Sequence, residues 1–143
     1  MRIGELAHAA RCTVKTVRYY EQEGLLEEPA RTLANYRRYG PSHLERLCFV
    51  RNCRALDMTH DEIRTLLALM EQPAGDCGGV NHLLDEHITH VDTRIAELAQ
   101  LKLRLGELRR RCQHEQVVDA CGILKGLASM APESRPERHT HLG

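Results

Sequence analysis

The sequence predicts a mainly α-helical protein: an N-terminal winged helix-turn-helix domain, then one long helix, then a short cysteine-bearing loop and helix. Three observations carry this. Two short helical patterns flank a tight break within the first 25 residues. An aliphatic seam recurs at helical spacing from Leu84 to Leu108 with no proline in it. Finally, the chain has 143 residues with 4 Tyr, 1 Phe and no Trp, and every aromatic lies before residue 50, so the rest must pack through Leu, Ile, Val and Ala.

The first pattern places Ile3, Leu6, Ala7 and Ala10 on one helical face. After a break at Arg11-Cys12, Thr13 is positioned as the N-cap of a second helix through Val14, Val17 and Tyr20, and Gly24 marks its end. Two helices joined so tightly form a helix-turn-helix, whose second helix inserts its N-terminal residues into the DNA major groove. Here those residues are Lys15, Thr16, Arg18 and Tyr19. The stretch from Leu25 to Tyr39, with Pro29 and the run NYRRY, suits a small wing presenting Arg31, Asn35, Tyr36 and Arg37, beside Arg38 and Tyr39. Charge agrees: residues 1–56 hold 10 Lys and Arg against 6 Asp and Glu, whereas the remainder holds 10 against 14. A neutral chain with a basic N-terminal half carries the footprint of a phosphate-binding surface.

Pro41-Ser42 opens a third helix with Leu44, Leu47, Phe49, Val50 and Cys53 toward the core. Arg46, Arg51 and Arg54 lie on its other side, with Arg51 and Arg54 assigned to phosphate. Thr59 and Glu62 form a capping box for a fourth helix carrying Ile63, Leu66, Leu67 and Met70. The run EQPAGDCGG then ends it. These features give a DNA-binding domain over 1–72 and a linker over 73–79.

From 80 to 111 apolar residues recur at Leu84, Ile88, Val91, Ile95, Leu98, Leu101, Leu105 and Leu108, a heptad-like seam. A helix of about 32 residues is about 48 Å long, and too little chain remains to cover it. The expected solution is a dimerisation helix paired with a second copy. A two-fold dimer of recognition units also matches a palindromic DNA site.

Cysteine usage supplies the chemistry. The chain has no apolar run long enough to span a membrane and no signal-peptide core, so it is expected in the cytoplasm, where six cysteines are better suited to burial or metal than to disulfides. Cys12, Cys48 and Cys53 fall in packed helical segments and read as small buried hydrophobes. Cys77 precedes the long helix, Cys112 follows it, and Cys121 lies in a loop and short helix over 112–130. The ends of a rod that long cannot share one ion, whose bonds to sulfur are about 2.3 Å for zinc. If the helices pair antiparallel, Cys77 of one subunit comes beside Cys112 and Cys121 of the other. Three thiolates shared between subunits select soft or borderline divalent cations: Cd²⁺, Pb²⁺, Hg²⁺ or Zn²⁺. His87 and His90 share a helix face and, with His139 and His141 of a tail over 131–143 read as mobile, form a possible secondary metal site. No nucleophile–base pairing, phosphate-binding glycine loop or metallohydrolase spacing points to an enzyme.

The segment GELAHAARCTVKTVRYYEQEGLL, followed by NYRRY and a helix beginning near Pro41, resembles the MerR family of metal-responsive transcription regulators, over Met1 to about Met130. The words LDMTHDEI, CGGVNHLLDEHI, RRRC and CGIL are more similar to its cadmium- and lead-responsive (CadR/PbrR-like) branch. The resemblance implies that Cd²⁺ or Pb²⁺ is preferred. It also implies a dimer through a long antiparallel dimerisation helix, seated on double-stranded promoter DNA, that distorts the promoter on metal binding, so that RNA polymerase opens it and heavy-metal resistance genes are activated. The alternative is a MerR-type sensor of Hg²⁺ or Zn²⁺, or of a redox or organic signal, through the same cysteines.

Overall fold

The computed structural model describes residues 1–132 and divides the chain into two compact units, one from Met1 to Leu84 and the other beginning at Asp85. The first holds α1 (Ile3–Ala9), α2 (Val14–Gln22), strands β1 (Ala30–Arg31) and β2 (Arg37–Arg38), α3 (Pro41–Ala55), α4 (His60–Met70) and the first turns of α5 (Gly78–Arg109). The second holds the rest of α5, a 3-10 turn at Val118–Ala120 and α6 (Gly122–Ser129). The fold is the mainly helical one expected, with α5 running from residue 78 to 109 rather than 80 to 111.

Helix boundaries in the first unit follow from local chemistry. Thr13 caps α2 by accepting the Thr16 amide at 3.1 Å, and Thr59 and Glu62 cap α4 reciprocally at 3.1 and 2.9 Å. Each such cap is worth about 1 kcal/mol. Three helices end through one left-handed residue: Arg11 (φ 55°) after α1, Gly24 (φ 73°) after α2 and Asp57 (φ 60°) after α3. In each case the next amide reaches back to a carbonyl in the last turn: Cys12 to Ala7 at 2.9 Å, Leu25 to Tyr20 at 3.0 Å and Met58 to Cys53 at 3.2 Å. This closing bond satisfies the helix end and reverses the chain. Gly24 adopts the conformation without steric cost; Arg11 and Asp57 do so against their Cβ atoms.

The elements close around Leu6, Val17, Leu25, Leu47, Val50 and Ile63, all fully buried. Cys53 joins this core, while Cys12 and Cys48 are half-buried and packed against it. The wing is an antiparallel hairpin pairing Ala30 with Arg38 and Arg31 with Arg37. Its tip turns through Asn35 (φ 65°), and the Thr32 amide bonds the Tyr36 carbonyl at 2.7 Å.

The second unit is built differently. Its aliphatic seam is not covered: Ile88, Ile95 and Leu105 are 58%, 59% and 57% exposed, and Leu98 and Leu101 are also exposed. On α6, Leu124 and Leu127 are exposed too. Among the described residues, no helix is long and apolar enough to cross a membrane.

Candidate nucleic-acid interface and metal centre

On α2, Lys15, Arg18 and Tyr19 are exposed at the N-terminal end and along one face. Thr16 stands between them, but its hydroxyl lies 2.9 Å from that of Thr13, inside the cap. On the wing, Arg31, Asn35 and Tyr36 are exposed, and Arg31 Nη1 lies 3.4 Å from both the carbonyl and side-chain oxygen of Asn35. Arg2, absent from the sequence assignment, sits over the Tyr36 ring at 6.0 Å.

Arg37 is placed differently from Arg31. Its Nη1 donates to Glu21 Oε2 at 2.8 Å, and Glu21 also accepts the Tyr39 hydroxyl. The Glu21 side chain is only 5% exposed. Tyr39 is buried, and that burial together with the Glu21 hydrogen bond pushes its hydroxyl up to about 12. The network fastens the wing strand to α2 through Arg37, while its neighbour Arg38 is exposed. Strands of two residues have no alternation from which that choice could be read.

The arginines of α3 likewise split. Arg46 was placed on the polar side of its helix, yet it is half-buried with Nε on the Leu25 carbonyl at 2.9 Å. Arg51 reaches the Arg11 carbonyl at 2.8 Å and Arg54 the Met58 carbonyl at 2.5 Å. The acceptors are a left-handed residue and the residue following one, and each guanidinium retains further donors.

The cysteines separate by environment. Burial pushes the Cys12 and Cys53 thiols up, which keeps them protonated and inert. Cys121 is lowered, first by the Leu124 amide and also by the Ile123 amide and the Cys112 thiol. It is the N-cap of α6, at the end where the helix presents its free amides. Cys112 is half-buried, with its thiol on the His114 carbonyl at 3.4 Å. The second unit thus brings Cys112 and Cys121 together, with one sulfur already electrostatically prepared for the thiolate form that soft cations require. Cys77 is exposed in the first unit, bordering an apolar concavity of about 400 Å³ whose walls include Phe49, Leu66, Met70 and Val80. His87 and His90 have ring centroids 6.4 Å apart, and His87 is buried. His139 and His141 lie outside the described residues.

Comparison with known proteins identifies the family. The family profile described as "MerR HTH family regulatory protein" matches residues 1–69, and that described as "MerR, DNA binding" matches residues 44–108. The chain is 50% identical over 111 residues to a ZntR-homologue HTH-type transcriptional regulator of Haemophilus influenzae, covering 78% of this chain and 82% of that one. It is similar to the crystal structure of the transcription regulator PbrR691 from Ralstonia metallidurans CH34 in complex with lead(II), at 54% identity and a TM-score of 0.80, covering 89% of this chain and 98% of that one. It also resembles a MerR from Bacillus megaterium MB1 in complex with mercury(II), at 27% identity and a TM-score of 0.69, covering 90% of this chain and 99% of that one. The chain belongs to the MerR family of helix-turn-helix transcription regulators: it is a DNA-binding regulator and not an enzyme.

Proposed function

We propose that this protein is a dimeric, metal-activated transcription regulator whose inducer is a soft divalent cation, with Cd²⁺ or Pb²⁺ preferred. The observation that carries the reading is the close approach of residues 111 and 122, neighbours of Cys112 and Cys121, beyond one end of a 32-residue helix, while Cys77 lies just before the other end. Antiparallel pairing of two such helices sets Cys77 of one subunit beside Cys112 and Cys121 of the other, giving two three-thiolate sites per dimer. The exposed aliphatic seam supports the pairing, because burying apolar area at about 25 cal/mol per Å² is the main drive for association. Sulfur ligands favour these ions over Mg²⁺ and Ca²⁺, and the lead(II) complex of a relative at 54% identity favours Pb²⁺ among them.

In this reading Lys15, Thr16, Arg18 and Tyr19 enter the major groove of a palindromic promoter. Arg31, Asn35 and Tyr36 follow on the wing, Arg37 braces it, and Arg51 and Arg54 hold phosphate. The division of labour runs along the chain: DNA reading over 1–72, dimerisation over 80–111 and ion capture by the loop and helix over 112–130 with Cys77. Metal drives a change in DNA geometry only by fitting one dimer arrangement better than another. Bending or untwisting a promoter costs of order a few kcal/mol, within reach of a multi-thiolate site, and the distorted promoter is then opened by RNA polymerase.

Titration of the reduced protein with Pb²⁺ and Cd²⁺, followed by ultraviolet thiolate-to-metal charge transfer, tests this. One ion per subunit is expected, with tight binding lost in Cys77→Ser, Cys112→Ser and Cys121→Ser alike. Binding indifferent to all three would overturn the reading.

A further inference from the structure

The first turn of α6 lies unusually close to the end of the chain segment that carries Cys112. A Cβ built on Gly122 would stand 2.6 Å from the Arg111 carbonyl oxygen and 3.4 Å from the Arg111 carbonyl carbon. That is backbone, so it cannot swing aside. Four residues on, and therefore on the same helix face, Gly126 also packs on Arg111. There a Cβ would first meet the guanidinium, the free end of a flexible side chain. The two glycines look alike in sequence, but only Gly122 is held against atoms that have nowhere to go.

The position of that contact gives it a consequence. Arg111 immediately precedes Cys112, and Gly122 immediately follows Cys121. The close approach of residues 111 and 122 therefore clamps the two ends of the loop that bears both thiols. Within the loop, Gln116 Nε2 donates to the Ala120 carbonyl at 3.1 Å, and Arg109 Nη1 donates to the Cys112 carbonyl at 2.8 Å.

We infer that Gly122 is a positioning residue for the thiolate pair: its missing side chain lets α6 seat on the Arg111 carbonyl and so holds Cys121 beside Cys112. The inference rests on the proposed metal site. A side chain at residue 122 lifts the start of α6 and carries Cys121 away from Cys112, leaving the ion with fewer sulfurs. At residue 126 the Arg111 guanidinium moves instead and the thiol pair stays.

The test is a Pb²⁺ titration of the full-length reduced protein by charge-transfer absorption, comparing Gly122→Ala with Gly126→Ala. Alanine favours the helix over glycine, most of all at the interior residue 126, so a binding loss confined to Gly122→Ala does not come from a weakened helix. Gly122→Ala is expected to weaken Pb²⁺ binding about 10–100-fold, the usual cost of disturbing a group that orients a ligand. Gly126→Ala stays within about threefold of the parent, since its only clash is with a movable side chain. The Gly122→Ala complex also takes on the band shape of Cys121→Ser. The double variant Gly122→Ala/Cys121→Ser binds no more weakly than Cys121→Ser alone, because both changes remove the same sulfur. Equal effects of the two glycine variants, or additive losses in the double variant, would overturn the inference even if Gly122→Ala merely loosened α6. If Cys121→Ser itself leaves Pb²⁺ binding intact, the metal site falls and the inference with it. If Cys121→Ser weakens binding and Gly122→Ala does not, only the inference falls.

Discussion

The two units of this chain solve the problem of burying apolar surface in different ways. From Met1 to Leu84 the side chains close on one another, with Leu6, Val17, Leu25, Leu47, Val50 and Ile63 all fully buried. From Asp85 onward the aliphatic residues recur just as regularly, yet Ile88, Ile95 and Leu105 each stay more than half exposed. The same chemistry separates the thiols. Burial raises those of Cys12 and Cys53, while helix-end amides lower that of Cys121. A region that completes its own core has a conformation independent of signal. A region that leaves its core open is completed by something else, and its geometry is then free to depend on what completes it.

The largest expected effect sets one truncation against one charge. Leu47→Ala opens a cavity in the closed core and should destabilise the first unit by about 2–5 kcal/mol, read from denaturant unfolding, with operator binding lost alongside. Ile95→Asp removes nothing from a closed core, so the first unit should unfold as before. It should instead weaken dimerisation by about a hundredfold in sedimentation, because an aspartate in a buried seam is left without a partner. A dimer unaffected by Ile95→Asp would mean that the seam is not the interface.

A middle-sized effect probes how the reading unit holds its wing. Glu21→Gln leaves Arg37 and Tyr39 without their shared carboxylate, and should cost about 1–3 kcal/mol of stability. Operator affinity should fall more than metal affinity, which should be unchanged, since the network lies wholly within the first unit.

The smallest effect is a pH dependence. The Tyr39 hydroxyl is raised to about 12 from an ordinary value of 10.0, so the folded state favours its neutral form. That contribution is complete below pH 10 and declines as pH rises from 10 toward 12. Stability measured across this window should fall more steeply for the parent than for Tyr39→Phe. Parallel slopes would show that Tyr39 contributes nothing there.

What the sequence disclosed divides along physical lines. Thr13, Thr59 and Glu62 were legible because a cap acts within three or four residues. Gly24 was legible because glycine is the default left-handed residue. Arg11 and Asp57 adopt the same conformation without announcing it; at Arg11 the carbonyl is held by Arg51, from outside the local chain. The inward turn of Arg37 was hidden for a related reason, because its partner lies 16 residues away on another element. Arg46 was drawn to a carbonyl 21 residues back. At the C-terminal end, spacing singled out Cys112 and Cys121, but nothing local distinguished Gly122 from Gly126. That difference arises only when α6 meets Arg111.

The central claim, that each ion is held by cysteines of two subunits, is tested most directly by mixing two silent variants. Cys77→Ser and Cys112→Ser/Cys121→Ser should each fail to bind Pb²⁺ tightly as homodimers. After subunit exchange, every mixed dimer regains one intact site, built from Cys77 of one copy and Cys112 with Cys121 of the other. Charge-transfer absorption should therefore return to about a quarter of the parent amplitude at equal mixing. A mixture that remains silent, with exchange verified independently, would contradict the shared site.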